Sequence, residues 1–132
     1  MSLQWSFRCY VSSDGTDVIR SWYDAQRKKV RAKFLSRLKT LAGLPPDEWH
    51  ETLFKNLHGE CKGISEIRFK ADGVQHRPLG YRSGKLEFTL LFCAIEKGGK
   101  FVPLSACEIA QRRKNKSKKD RSATNALWLA LE

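Results

Sequence analysis

Acidic side chains are scarce in this sequence. Asp and Glu number 14 against 25 Lys and Arg in 132 residues, which leaves a formal net charge of +11. That excess argues against a neutral surface and points to a polyanion, nucleic acid or an anionic membrane, or to an acidic protein that neutralises it. Long apolar runs are also missing. The longest, Phe88 to Ile95, is too short to cross a bilayer, and no signal-peptide pattern is present. The expectation is a cytoplasmic protein with no membrane partner. The cysteines Cys9, Cys61, Cys93 and Cys107 have no C-x-x-C spacing, and three lie in apolar patterns. Reduced thiols are expected rather than a disulfide frame. None of His50, His58 and His76 sits at ligand spacing from a cysteine, so neither a metal nor a cofactor is expected. There is no G-x-S-x-G, no phosphate-binding lysine loop and no H-E-x-x-H.

What is present suggests one domain with a real core. Trp5 to Val11 alternates apolar and polar residues, the mark of a half-buried strand. Thr16 to Leu41 reads as one long helix, with Val18, Trp22, Ala25, Val30, Phe34, Leu38 and Leu41 forming its apolar stripe. Its other face carries Arg27, Lys28, Lys29, Arg31, Lys33, Arg37 and Lys39 without a counter-charge, a candidate surface for phosphates or an acidic partner. Gly43 and Pro45-Pro46 should end that helix, and Asp47 to about Leu57 should form a second, giving a helical hairpin. Ser105-Ala-Cys-Glu108 matches a capping box and starts a C-terminal helix. The run Asn115 to Arg121 reads as a frayed basic segment. Ala123 to Leu131 is apolar again, as a short docking helix, a dimer contact or a partner-binding tail.

The centre of the chain is Ile64 to Lys97. Asp72-Gly73 is a strong hairpin signal, since both turn positions need positive φ. Ser83-Gly84 is a weaker one, and together they predict a three-stranded antiparallel meander. Ile67, Phe69 and Ala71 should face the helices, with Glu66, Arg68 and Lys70 on an open polar face. Pro78 argues for a bulge or an interrupted ladder. Leu86 to Ile95 is apolar at both parities, as in a central strand covered on both faces. Counting outward from the turn sets Arg68 and Lys70 beside Arg77. Clustered guanidinium groups can hold a phosphate or stabilise its extra charge in a transition state. Lys97 and Lys100 follow the central strand. His76 and Tyr81 are the nearby side chains that could move a proton. The alternative is that Arg68 pairs with Glu66 or Glu87 and that the charges only solubilise an open sheet.

Gly63-Ile-Ser-Glu-Ile-Arg-Phe69, Asp72-Gly73, His76-Arg77, Glu87-Phe-Thr-Leu-Leu-Phe, Glu96-Lys97, Pro103 and Glu108-Ile-Ala-Gln-Arg-Arg113 occur in that order. This pattern resembles the RelE/ParE toxin superfamily, and most of all its HigB-like, phage-derived branch. The resemblance implies an α+β, RelE-like fold with an N-terminal strand, helical hairpin, three-stranded meander and C-terminal helix over residues 1–114, followed by an extension over 115–132. It implies a toxin of a type II toxin–antitoxin module that cuts mRNA on the ribosome, as a metal-independent endoribonuclease, with a helix-turn-helix antitoxin as partner. Carried onto this chain, Arg68, Arg77 and Lys97 would stabilise phosphate charge and His76 or Tyr81 would carry protons. Lys70, Arg82, Lys100, Arg112 and Arg113 would position RNA. The sequence departs from the family's pattern at Glu96-Lys97-Gly98-Gly99-Lys100 and at Arg77 to Tyr81, and no His or Tyr follows Tyr81. A non-enzymatic binder, either a gyrase inhibitor or a protein that sequesters a partner, is the alternative.

Overall fold

The structure is a computed structural model that describes residues 4–132; residues 1–3 of the expected 1–114 unit lie outside it. In chain order its elements are β1 (Ser6–Tyr10), α1 (Val18–Asp24), α2 (Lys28–Ala42), β2 (Phe54–Asn56), β3 (Ser65–Ile67), β4 (Phe69–Ala71), β5 (Val74–Gly84), β6 (Glu87–Lys97), β7 (Lys100–Val102), α3 (Ala106–Lys119) and β8 (Thr124–Ala126). The expected architecture is overturned. The fold is α+β, but its centre is an eight-stranded mixed sheet in the order β2-β3-β5-β6-β1-β8, with β4 on β5 and β7 on β6. β1 runs parallel to β6 and antiparallel to β8. No helical hairpin forms, and the meander is only the middle of a wider sheet.

Two apolar layers follow from strand alternation. Phe7, Cys9, Phe88 and Leu90 pack with Ile19, Phe34, Leu38 and Leu41 of α1 and α2. Tyr10, Leu79, Tyr81, Leu91 and Ala94 pack with Ala106 and Ala110 of α3. β6 lies between β5 and β1 with apolar residues on both faces, which explains its unbroken apolar run.

The expected first helix is two. Asp17 caps α1 by accepting from the backbone N–H of Ile19 and Arg20, and Arg27, in extended conformation, opens α2. The apolar stripe steps by five residues from Ala25 to Val30, which swings it off the helix face. Breaking at Ala25–Arg27 restores contact for Val30, Phe34, Leu38 and Leu41. The expected second helix is replaced by one 3-10 turn at Pro46–Glu48 and the strand β2. Trp49 decides this. Its ring stacks on Trp5 at 4.2 Å and meets Phe54 and Phe88, while Nε1 donates to Leu41 O at 2.9 Å. Such contacts outweigh the weak helical preference of a short segment.

Asp72 (φ 51°) and Gly73 (φ 75°) make the turn between β4 and β5. Pro78 interrupts the ladder without shifting it. Ser65 and Glu66 pair with Gly80 and Leu79, and Phe69–Ala71 pair with His76–Val74 in one continuous register. With no N–H at Pro78, pairing lapses between the two segments, and the Arg68 N–H turns to Leu53 O at 2.8 Å. At Gly80 a side chain would collide with the Thr89 carbonyl and the Phe88 ring, so the β5–β6 bulge there requires glycine.

α3 runs unbroken to Lys119, so Asn115–Lys119 is helical, not frayed, and Ser105 makes no side-chain cap. Ala123 ends a 3-10 turn, Arg121–Ala123, and residues 124–131 form no helix. β8 joins β1, and Leu127, Trp128, Leu129 and Leu131 pack against the α1–α2 layer, with Trp128 edge-on to Tyr23 at 5.4 Å. The expectation of four reduced thiols is corrected for two of them. Cys61 and Cys107 form a disulfide, Cα–Cα 5.2 Å, which ties the loop before β3 to the first turn of α3. The fold brings together cysteines 46 positions apart, a proximity their spacing could not reveal. Cys9 and Cys93 are free, and burial pushes both thiols up.

Candidate functional site

The continuous register on either side of Pro78 sets Arg68 opposite Arg77. Like charges facing across strands repel, so something must hold them. Glu66 does. Its Oε2 lies 2.9 Å from Arg68 Nε and 3.4 Å from Arg77 Nε, while Glu96 Oε1 lies 3.1 Å from Arg77 Nε. Arg77 and Glu66 are almost fully enclosed, with side chains 5% and 4% exposed. Burial pushes the Glu66 carboxyl up, against the opposing pull of Arg77 and then Arg68. The remaining donors of Arg77 go to His76 O at 3.0 Å and Gln75 Oε1 at 3.3 Å, and Arg68 Nη1 goes to Glu51 O at 2.9 Å. Glu66 is therefore not part of an open polar face, as its place in the strand pattern suggested. It is the buried anchor of two arginines.

These groups border an open cleft of about 690 Å³, where Arg37, Arg68, Lys70 and Arg77 meet Glu51 and Glu96. Arg37 comes from α2, and burial lowers its guanidinium from the usual range. Neither Arg37 nor Lys70 has an ion-pair partner among the described residues. The cleft can take a phosphate on Arg37, Lys70 and the outer edge of Arg68, with Arg77 holding the strand from below. At the start of α2, Arg27 and Lys29 each lie 3.9 Å from Asp72 of the turn, so that part of the helix surface does have a counter-charge.

The other expected residues are dispersed. His76 is buried, stacks on Phe69 at 4.9 Å and lies edge-on to Trp22, and neither ring nitrogen has a hydrogen-bond partner among the described residues. Burial, then Arg77, lowers its pKa, which favours the neutral ring. His76, expected as a proton carrier, lies on the core side of β5 and does not border the cleft: the strand alternation that carries Arg77 to the cleft carries His76 beneath the helices. Tyr81 is buried on the α3 side, its hydroxyl 2.9 Å from Ser117 Oγ, and it does not border the cleft. Lys97 and Lys100 pair across the exposed β6–β7 turn and line no part of the cleft. Arg112 is exposed on α3. Arg113 is a packing residue: Nη1 donates to Leu91 O at 2.8 Å, and the guanidinium lies over the Tyr10 and Phe92 rings. Arg82 lies over the Trp5 ring and borders a second depression, with Tyr81 and Lys114.

The cross-strand arginines were legible from the turn. Glu66's role was not, although one acid in a basic strand was the available sign. Among the described residues no group of three or more His, Cys, Asp or Glu could hold a metal ion, and no helix is long and apolar enough to cross a membrane. Compared with models of known families, with curated proteins and with solved structures, the chain finds no match.

Proposed function

We propose that this chain is a toxin of the RelE/ParE kind from a type II module, cytoplasmic, and directed at mRNA on the ribosome through the Arg68 cleft. The observation that carries this reading is the in-register pair Arg68 and Arg77, bridged by Glu66 and flanked by Lys70 and Arg37. It falls inside the stretch whose sequence resembles that family. In cleavage, a ribose 2′-oxygen bonds to the adjacent phosphorus and the bond from phosphorus to the 5′-oxygen breaks. The 2′-hydroxyl proton leaves, and the departing oxygen takes up a proton. Arg68, Lys70 and Arg37 would stabilise the charge that builds on phosphorus-bound oxygens. Arg77 acts as a positioning residue, fixing Arg68 through the shared Glu66. A helix-turn-helix antitoxin with an acidic segment would neutralise the same cleft.

A second reading is a non-enzymatic binder of a polyanion or acidic partner. It is favoured by the absence of any histidine or tyrosine from the cleft lining. The test is controlled expression with mapping of 5′ ends on translating messages. Lys70→Ala and Arg68→Lys are the informative variants, because both leave Glu66 its Arg77 partner. In-frame cuts that fall about a hundredfold in these variants support the nuclease. Growth arrest with intact messages supports the binder and rejects cleavage.

A further inference from the structure

Two depressions on the α3 side of the sheet, of about 430 Å³ and 260 Å³, share Tyr81, Arg82 and Lys114 and so form one groove. It shares no lining residue with the Arg68 cleft. Its cations are Lys114, Lys118 and Arg121, and its one carboxylate is Glu87; Arg82 also borders it, but its guanidinium lies over the Trp5 ring on the α1–α2 face. Glu87 is already held by Arg121, with Nη2–Oε2 2.9 Å and Nη1–Oε1 3.2 Å. Lys114 and Lys118 have no carboxylate within ion-pair distance among the described residues. Lys114 is fixed by donating to Gly63 O at 2.9 Å and lies over the Tyr81 ring. Burial, and after it the charge of Lys118, lowers its pKa.

The floor is made of hydroxyls. Ser117 Oγ donates to Lys114 O, which leaves Tyr81 Oη to donate to Ser117. Ser83 Oγ meets Thr89 Oγ1 at 2.7 Å. No free aromatic face lines the groove for a base to stack on: Tyr81 is capped by Lys114. Preorganised cations along a continuous groove, hydroxyls below and no stacking platform suit a sugar–phosphate backbone more than bases.

We propose that the groove between α3 and β5 binds the phosphodiester backbone of single-stranded RNA without sequence preference, at a site separate from the Arg68 cleft. The proposal rests on the groove's own chemistry and stands whether or not the cleft cleaves RNA.

The test is fluorescence anisotropy of the whole chain with a short labelled single-stranded RNA across a salt series. Lys118→Glu is compared with Lys70→Ala in the cleft, and polyglutamate serves as competitor. Lys118 is exposed and without a partner among the described residues, so its reversal leaves the fold intact, which circular dichroism checks. Binding about tenfold weaker in Lys118→Glu, with the slope of log K against log salt shallower by about 0.7 per lost phosphate contact, supports the proposal. It is supported equally if Lys70→Ala also weakens binding, one strand then reaching both sites. Unchanged affinity in Lys118→Glu overturns it, and a loss confined to Lys70→Ala does so while leaving the cleft reading in place. Displacement of RNA by polyglutamate at equal charge concentration also overturns it, since the groove would then accept any polyanion.

Discussion

The cleft and the groove use the same kinds of residue in opposite ways. In the cleft, Arg68 and Arg77 are locked by Glu66 and Glu96, and two carboxylates border the opening beside four cations. In the groove, one carboxylate faces three cations and is already taken by Arg121. Internal pairing fixes geometry but lowers the net field. A cation held by a backbone carbonyl, as Lys114 is by Gly63 O, is fixed without losing its field. The cleft is therefore suited to placing one phosphate, and the groove to attracting and holding a strand.

The largest expected effect breaks the comparison at its most rigid point. Arg77→Ala leaves buried Glu66 without its enclosed partner and should destabilise the fold by about 3–5 kcal/mol in denaturant unfolding. A loss under about 1 kcal/mol would mean that the cleft arginines are no more built in than those of the groove.

Breaking the Cys61–Cys107 link comes next. It closes a loop of 46 positions, so Cys61→Ser with Cys107→Ser should cost about 2–4 kcal/mol, read from unfolding with and without reductant. The same link holds the loop carrying Gly63 against α3, so groove binding should fall while Lys70-dependent effects persist. Equal losses at both sites would erase the distinction between them.

His76→Phe is a smaller change. It removes two unpartnered ring nitrogens and should stabilise by about 1 kcal/mol if the ring packs as His76 does. His76's folded pKa is lowered from its ordinary 6.5, mainly by burial, so the stability linked to its neutral form is present above about pH 6.5 and lost as pH falls below that. The variant should flatten that acid limb in a pH series of unfolding midpoints. RNA cleavage, where measured, should survive it; a complete loss of cleavage in a folded His76→Phe would return His76 to the chemistry.

The smallest effect sharpens the groove itself. Glu87→Gln frees Arg121 and should tighten RNA binding about two- to threefold at low salt, an advantage that fades at high salt. The Glu87 carboxyl is lowered chiefly by its Arg121 hydrogen bonds, so stability linked to its charged form is lost as pH falls through its folded pKa, and the variant should lose that component of acid sensitivity.

Local rules carried the sequence reading as far as neighbours along the chain decide structure. Asp72-Gly73 specified its turn, and the alternation in β1 and the apolar run of β6 reported their burial. The step from Ala25 to Val30 contained the helix break, but no Gly or Pro marked it. The second helix failed because Trp49 serves Trp5, Phe54 and Phe88, contacts set by tertiary packing alone. The cleft was half legible: a two-residue turn fixes which side chains face each other, so Arg68 and Arg77 met as counted. The count placed His76 close in sequence but could not say that its neighbours would be Phe69 and Trp22. The groove was illegible because its parts come from β5 and α3, and the basic run that supplies Lys118 looked too charged to stay ordered.

β1 bears on how the molecule comes to exist. One of its flanking strands is β6 and the other is β8, and the Arg8 side chain bonds to Thr124 across 116 positions. During synthesis at about 5–20 residues per second, β1 waits for both neighbours while the helices and the Asp72-Gly73 hairpin assemble without it. Until residues 124–126 are made, one edge of β1 is open to any other strand it meets. Chains stalled before that point should be the ones that aggregate or are degraded, so the supply of finished protein depends on completing a strand that lies outside the cleft and reaches the groove only through Thr124.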